Sequence, residues 1–392
     1  MTFFSGLNPL EPDTFSFLAA DMGTTNIVVS NGITSVRLKN PQTKYGSDII
    51  SRILFSMKND PSLLTSSLHK GLLDAFSLFY ETYSALPGNT GTGSFFPVKN
   101  IVLTGNTVMM HFLSGLDVSS LSSFPFKPLS LFNIQTNLFS IFPNIDYTAW
   151  SHLFSPETTV YLPPCVDAFL GGDLVCAAAG CGLYGSFTAV HEESFSNAVQ
   201  SSSPRIVIDI GTNTEILLSH KGLYYAASTA AGPAFEGGMI KSSLRGSELL
   251  NALSIMLHEN QMDSTGMLLQ ERSLLCQSDI RLLQLAKSAI CAAVKTLLHE
   301  ASLRDNEIDE VFLCGAFGSN CRPEDIERTG LLPSSLARKI TMKEHAVIEG
   351  SRILGISTFQ RDICFKQIQN TSVIQLADSS FFAREYISCM NF

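Results

Sequence analysis

Two short stretches of this chain carry residues able to do chemistry, and one nearly repeats the other. Asp21–Asn26 spells DMGTTN and Asp209–Thr214 spells DIGTNT, each set between apolar runs (LAA and IVVS; IVI and EILLS). A glycine-tight turn between two strands exposes backbone N–H groups with no side chain in the way, and such groups cradle phosphate oxygens. Thr24, Thr25, Thr212 and Thr214 add hydroxyls, while Asn26 and Asn213 add amides. A carboxylate at a strand end, Asp21 or Asp209, would repel bare phosphate. It makes sense facing Mg2+ through water, since that cation takes a carboxylate or two together with phosphate oxygens. A single DxG hairpin is also simply a favourable turn. Two with matched flanks point to phosphate binding, with the turns gripping one metal–polyphosphate from two lobes. GxGxxG and GxxxxGK[ST] are both absent from the chain, so neither the Rossmann nor the P-loop solution applies.

The elements that must position these turns follow from the pattern around them. Phe15–Ala20 and Ile27–Ser30 are predicted strands, and Asn31-Gly32 signals a hairpin into a third antiparallel strand. Tyr45–Tyr83 has helical spacing with a break at Asp60-Pro61, and Pro87–Pro97 is a loop by composition. IVLTGNTVMMHFLSG (Ile101–Gly115) predicts a buried strand, a glycine turn and a helix capped by Asn106 or Thr107. Residues 117–160, rich in Ser, Phe and Pro, have no clean period and suggest an insertion or loop-rich surface with short strands. Asp167–Tyr184 is a helix candidate with small residues that permit close packing, and the polar stretch His191–Pro204 links two halves. The second half then repeats the order: a hairpin through His220–Gly222, a long helix over Asp279–Ala301 capped by Ser278, and VFLCGAFGSN as strand, glycine turn and helix start. That is the pattern a duplicated α/β unit would leave.

Bulk properties narrow the function. A chain of 392 residues favours two domains or two halves of one bilobal body, and 45% apolar against 16% charged residues gives ample core. No apolar run reaches the roughly 18 residues of a membrane span. MTFFSGLNPLEP has no basic start of the secretory kind, so the cytoplasm is expected. A net charge of −9 without a Lys/Arg block argues against nucleic acid. The nine cysteines form no CxxC pairs and suggest reduced core thiols.

The order of phosphate turn, linking helix (Gly171–Tyr184), second phosphate turn, second linking helix (Asp279–Ala301) and glycine-rich turn resembles the superfamily of acetate and sugar kinases, heat-shock chaperone ATPases and actin. Longer phrases are more specific: KYGSDIISRI (Lys44–Ile53), LTGNTVMMHFLSG, LPPCVDAFLGGD, IDIGTNTEI, STAAGPAFEGGMI, LAKSAICA, and CGAFGSN followed by GLLP. In this order they resemble the ATPase portion of the reductive activators of corrinoid proteins, over roughly residues 16–360. The resemblance implies an α/β fold of two duplicated ribonuclease-H-like lobes (the actin-like ATPase fold), with mixed five-stranded sheets flanked by helices. The lobes are expected at residues 1–190, with the first phosphate turn and the insertion near 117–160, and at 204–392, with the second phosphate turn and a nucleoside turn.

By the same resemblance, the activity is an ATP-binding or ATP-hydrolysing step that assists reductive return of a corrinoid protein's Co(II) cobalamin to methyl transfer. ATP and Mg2+ are the implied cofactors, and a corrinoid protein of a methyltransferase system and a separate electron donor the implied partners, with a homodimer as a further expectation. Many members carry a [2Fe–2S] domain with clustered cysteines. The first cysteine here is Cys165, and Cys364 and Cys389 stand alone, so no iron–sulfur cluster is expected on this chain. A small-molecule kinase on the same scaffold, or a docking module without turnover, are the alternatives.

Residue roles follow from the resemblance and the turn chemistry together. Asp21, Gly23, Thr24 and Thr25 are assigned to one phosphate and metal turn, and Asp209, Gly211, Thr212 and Asn213 to the other. Gly315, Ala316, Phe317 and Gly318 are expected to line the nucleoside. Gly232-Pro233 and Gly237-Gly238 suggest a loop over the nucleotide, or a rigid turn. Asp173 is a candidate Mg2+-water ligand or general base, or else a helix cap. Glu215 and Glu236 are candidates to orient an attacking water, or structural acids. His111, on an apolar helix, is expected as a core histidine rather than a cobalt ligand. Lys287 pairs with an acid or phosphate, or snorkels.

Overall fold

Phe17–Met22 (β1), Asn26–Ser30 (β2) and Ser35–Lys39 (β3) form an antiparallel meander, the third strand following the Asn31-Gly32 turn as expected. Parallel to β1 runs Val98–Thr104 (β4), followed outward by Phe154–Leu162 (β6) and then, antiparallel, Ile134–Asn137 (β5). A second sheet repeats the scheme with Arg205–Ile210 (β7), Thr214–His220 (β8), Leu223–Thr229 (β9), Glu310–Cys314 (β10) and Ile340–Lys343 (β11), plus Thr371–Val373 (β12). The orders are β3-β2-β1-β4-β6-β5 and β12-β9-β8-β7-β10-β11. Stripped of β5 and β12, the two sheets have one strand order, so each is the expected mixed five-stranded sheet with one added strand, placed at opposite edges. The first strands, FLAADM and RIVIDI, are apolar almost throughout because both faces of the sheet are covered.

This computed structural model describes residues 16–86, 98–185, 203–231, 234–235, 243–270, 273–318 and 321–392. Pro87–Pro97, most of His191–Pro204, and Gly232, Pro233, Glu236, Gly237 and Gly238 lie outside the described residues. The chain divides into two compact units, Met1–Gly180 with Val347–Lys366, and Cys181–Ala346 with Gln367–Phe392.

In the first unit, Ile49–Lys58 (α1) starts at a capping box of Asp48 and Ser51, and Ser62–Ser84 (α2) follows the break at Asp60-Pro61. Leu64, Leu68, Leu72 and Phe76 of α2 join Leu18, Ala20, Ile27 and Leu103 in the core. Thr107–Ser114 (α3) is capped by Asn106, whose side chain accepts from the Met109 N–H at 3.0 Å. Gly172–Gly180 (α4) is shorter than the expected Asp167–Tyr184, because Asp167 and Leu170 pair in a tight bridge and the chain becomes helical only after Gly171. His111 is fully buried: its Nδ1 bonds the Thr107 carbonyl at 2.7 Å, and its Nε2 accepts from the Leu129 N–H at 3.1 Å. It is a satisfied core histidine, as expected.

In the second unit, Ser247–His258 (α5) and Gln277–Glu300 (α6) cover the sheet, α6 supplying Ile280, Leu283, Ile290 and Val294 to a core with Ile206, Ile208 and Ile216. Helix α6 begins earlier than the expected Asp279: Cys276 occupies the cap without a side-chain bond, and Ser278 lies inside the first turn. Pro323–Thr329 (α7) follows β10. Ala346–Ile356 (α8) and Thr358–Gln369 (α9) fall mostly within the first unit, and Ser380–Ser388 (α10) within the second. Among the described residues, no helix is long and apolar enough to cross a membrane.

Candidate functional site

In each unit the repeated aspartate stands one residue before the end of the first strand, and the parallel neighbour strand ends beside it. Asp21 pairs in register with Thr104 of β4, and Asp209 with Cys314 of β10. The glycine turns Gly105 and Gly315 come next in the chain. The duplication therefore extends from the opening phrase to the strand-end turns, LTGNT and LCGAFG.

In the first unit the DMGTTN turn is tied from behind. Asn40 Nδ2 donates to the Gly23 carbonyl at 2.8 Å, Arg52 Nη2 to the Thr24 carbonyl at 2.5 Å, and the Asn40 N–H to the Thr25 carbonyl at 2.8 Å. Three successive carbonyls are thus held, which fixes one shape for the turn. A Cβ on Gly23 would sit 2.8 Å from the Asn26 carbonyl, so the tightness requires glycine. Arg52 is completely buried and also donates to the Gly46 carbonyl at 3.1 Å and to Gln42 Oε1 at 3.2 Å. Burial lowers its pKa to about 10, which leaves it charged at neutral pH.

Two more backbone turns close on this one. A Cβ on Gly105 would lie 2.8 Å from the Met22 carbonyl, and one on Gly171 only 2.2 Å from Asn106 Cα. The Asp173 N–H donates to the Gly105 carbonyl at 3.3 Å, placing Asp173 in the first turn of α4. Its Oδ1 accepts from the Leu174 N–H at 2.9 Å. Burial, and to a lesser degree the charges of Asp173 and Asp21, push the Cys176 thiol up to about 12, so both acids lie within electrostatic reach of one buried sulfur. Thr24 is buried, Thr25 exposed, and Gly23 half-buried.

In the second unit the Gly211 N–H closes the DIGTNT turn on the Asn213 carbonyl at 2.9 Å, and Gly211, Thr212 and Asn213 are half-buried. Asp209 pairs with Glu215 across the antiparallel β7–β8 ladder, which puts both carboxyl groups on one face of the sheet. Asp209 is half-buried, and desolvation pushes its pKa up to about 6. Gly315 has φ +77° and is packed so closely that a Cβ would fall 2.5 Å from Asp209 Oδ1. Behind it, the buried thiols of Cys181 and Cys314 lie 3.7 Å apart, and Cys314 is held protonated by that contact and by burial. Gly315–Gly318, including Ala316, forms a single helical turn. The Phe317 ring packs edge-on against Phe235 at 4.8 Å inside the core, so what this turn offers a ligand is backbone.

A Mg2+-bearing polyphosphate fits the chemistry of this donor set. A desolvated carboxyl beside a second acid on one face is costly as an anion until a cation joins it. Among the described residues no group of three or more His, Cys, Asp or Glu is placed to hold a metal by itself, so phosphate oxygens and water would have to complete the coordination.

The residues that shape the site without appearing among the predicted ones are Arg52, Asn40 and the Thr104–Asn106 turn. Two of these lay within quoted phrases, KYGSDIISRI and LTGNT. A single arginine in a helix with apolar neighbours looks in sequence like a surface charge, and only the fold turns it inward. Lys287 neither snorkels nor pairs with an acid: it is 1% exposed and donates to the Asn391 carbonyl.

Residues 17–186 match the family model described as the RACo middle region, and residues 203–249 and 252–392 match the C-terminal domain of RACo, the ASKHA domain. A corrinoid activation enzyme, RamQ, from Eubacterium limosum is 22% identical over 94% of this chain and 69% of its own length. A solved reductive activator for corrinoid, iron–sulfur protein superposes with a TM-score of 0.73 at 22% identity, over 96% of this chain. The chain spans 65% of the length of that activator.

Proposed function

The chain belongs to the reductive activators of corrinoid proteins, spanning their middle region and their ASKHA domain, and from that premise we propose that it binds Mg·ATP and uses it to activate a corrinoid protein. The observation that carries the reading is the acid-and-glycine turn occurring once in each unit at equivalent places in one strand order, with Asp209 desolvated and set beside Glu215.

Asp21, Gly23, Thr24 and Thr25, and Asp209, Gly211, Thr212 and Asn213, are assigned to the phosphates. Asp21 and Asp209 would hold Mg2+ through water. The bound cation would offset the charge of the phosphate oxygens and of these carboxylates. Gly315–Gly318 would meet the nucleoside with its backbone, and Gly232 would belong to the same nucleotide contacts. Asp173, Glu215 and Glu236 are the candidates to orient or deprotonate a water at the terminal phosphate; buried Glu215 is well placed to keep a fixed orientation. ATP would favour one conformational state of the activator, and that state would bind the corrinoid protein differently, because a ligand moves an equilibrium only by its differential affinity. A separate electron donor would supply the electron to Co(II).

Isothermal titration with ATP and Mg2+ tests the first step. Binding at or below millimolar nucleotide is expected, with at least about a tenfold loss in Asp209→Ala, matching the charge-assisted contacts removed. Absence of binding, or an unchanged affinity in the variant, rejects the reading. Phosphate release stimulated by a corrinoid protein supports the activator role, whereas a phosphorylated small acceptor would establish the kinase alternative.

A further inference from the structure

Away from both turns, the second unit holds a cavity of about 820 Å3 lined by α6, α10 and residues of the 327–335 segment. Cys291 and Lys295 of α6 face it, as do Glu385, Ser388 and Cys389 from α10 and its end. Lys295 Nζ pairs with Glu385 Oε2 at 2.9 Å, and Ser288 Oγ donates to the Cys389 carbonyl at 2.9 Å, so helix and following chain are pinned to α6 on both sides of the sulfur. Buried Lys287 donates to the Asn391 carbonyl and lies 5.1 Å over the Phe392 ring. Two thiols thus share one cavity wall with two ammonium groups.

Their protonation differs. Cys389 is held below the usual thiol range by the neighbouring Cys291 thiol and then, against its burial, by Lys295, Ser388 and Lys287. Cys291 is held well above the usual thiol range by the same contact and by burial. The remaining ionisable groups on the cavity wall are Glu385, already paired with Lys295, and His299, Asp305 and Glu327. A thiolate beside a protonated thiol is the arrangement of an attacking and a resolving cysteine.

We propose that Cys389 and Cys291 form a redox-active dithiol, a modification site for low-molecular-weight disulfides that enter this cavity. The Cys389 thiolate attacks one sulfur of the small disulfide, forming a mixed disulfide and expelling the other half as a thiolate. The Cys291 thiol then loses its proton and attacks the Cys389 sulfur, breaking the mixed disulfide and releasing the second half as a thiol. The small disulfide is reduced to two thiols, and the protein is oxidised to a Cys291–Cys389 bond that clamps α10 covalently to α6.

The full chain treated with oxidised glutathione and mapped by peptide mass spectrometry tests this. A Cys291–Cys389 crosslink is expected in the unmodified sequence, a stable glutathione adduct on Cys389 in Cys291→Ser, and no adduct on Cys291 in Cys389→Ser. Half-buried Cys276 is an internal reference. At pH 6 Cys389 should react about tenfold faster than Cys276, because its lowered pKa keeps thiolate available there. Its rate should level off below the pH range in which an ordinary thiol titrates. Equal rates at the two cysteines, or a mixed disulfide that never passes to Cys291 in the unmodified sequence, would overturn the proposal. None of these readouts depends on nucleotide binding.

Discussion

At the scale of single residues, Asp209 carries the most consequence. Its carboxyl pKa is raised by desolvation from 3.8 to about 6, so the folded state holds that proton more tightly than the unfolded chain does. The stability this group contributes is therefore fully present below pH 4 and is lost as pH rises through 6, a difference of up to about 3 kcal/mol. Asp209→Asn keeps the shape and abolishes the charge. Thermal melts at pH 7.5 are expected to show the variant as more stable than the parent, with the difference closing as pH is lowered to 4. The same variant should lose Mg·ATP, so stability and binding should move in opposite directions. In the parent, ATP affinity should weaken as pH falls below about 6, where cation and proton compete for the carboxyl. A variant less stable at pH 7.5 would show that desolvation does not dominate at this position.

At the scale of elements, legibility tracked periodicity and punctuation. The β1–β3 meander, the α1–α2 break and the Asn106 cap stand where Asn-Gly, Asp-Pro and an Asn before an apolar run put them. What sequence could not show were contacts set by tertiary packing. Helix α4 was predicted too long because Asp167 forms a bridge with Leu170, and α6 starts at a cysteine with no capping bond. The arginine brace was hidden for the same reason: Arg52 meets Thr24 only once α1 lies against the turn. Arg52→Met keeps the bulk but leaves the carbonyls of Thr24 and Gly46 and the Gln42 amide oxygen without their donor. Loss of about 3 kcal/mol is expected from unsatisfied buried acceptors, together with weaker nucleotide binding because the turn loses its fixed shape. Chemical denaturation and titration on the same sample would check both; a loss of stability with unchanged affinity would confine Arg52 to packing. The small residues of α4 are explained by α8: a Cβ on Gly350 would stand 1.7 Å from the Cys176 carbonyl. Gly350→Ala must push the two helices apart, with a cost of about 3 kcal/mol or more. Asp173 at the start of α4 should be displaced with it.

At the scale of the whole molecule, the duplication was visible in the order of motifs, but the way the chain shares itself between units was not. The sequence suggests a cut near 190–204, with everything after it in the second lobe. Residues 347–366 instead group with the first unit. The contacts there are intimate: a Cβ on Gly355 would lie 2.4 Å from the Phe17 ring, and the Arg361 guanidinium stacks 4.1 Å over Tyr161 and donates to Gln135 Oε1 at 2.6 Å. Helix period alone cannot say which sheet a late helix covers. The first unit should therefore not fold from its continuous stretch. A fragment of residues 1–185 would expose Phe17, Tyr161 and the α4 face that Gly350 covers, and would leave Gln135 without its arginine. Such a fragment is expected to show weak near-ultraviolet circular dichroism and to exchange its β1 and β4 amides within minutes. Supplying residues 346–369 as a second chain or a fused segment should restore protection of those strands by at least about tenfold. A fragment that protects β1 and β4 alone would show that the first six strands suffice, and that α8 and α9 are an addition to a unit already complete.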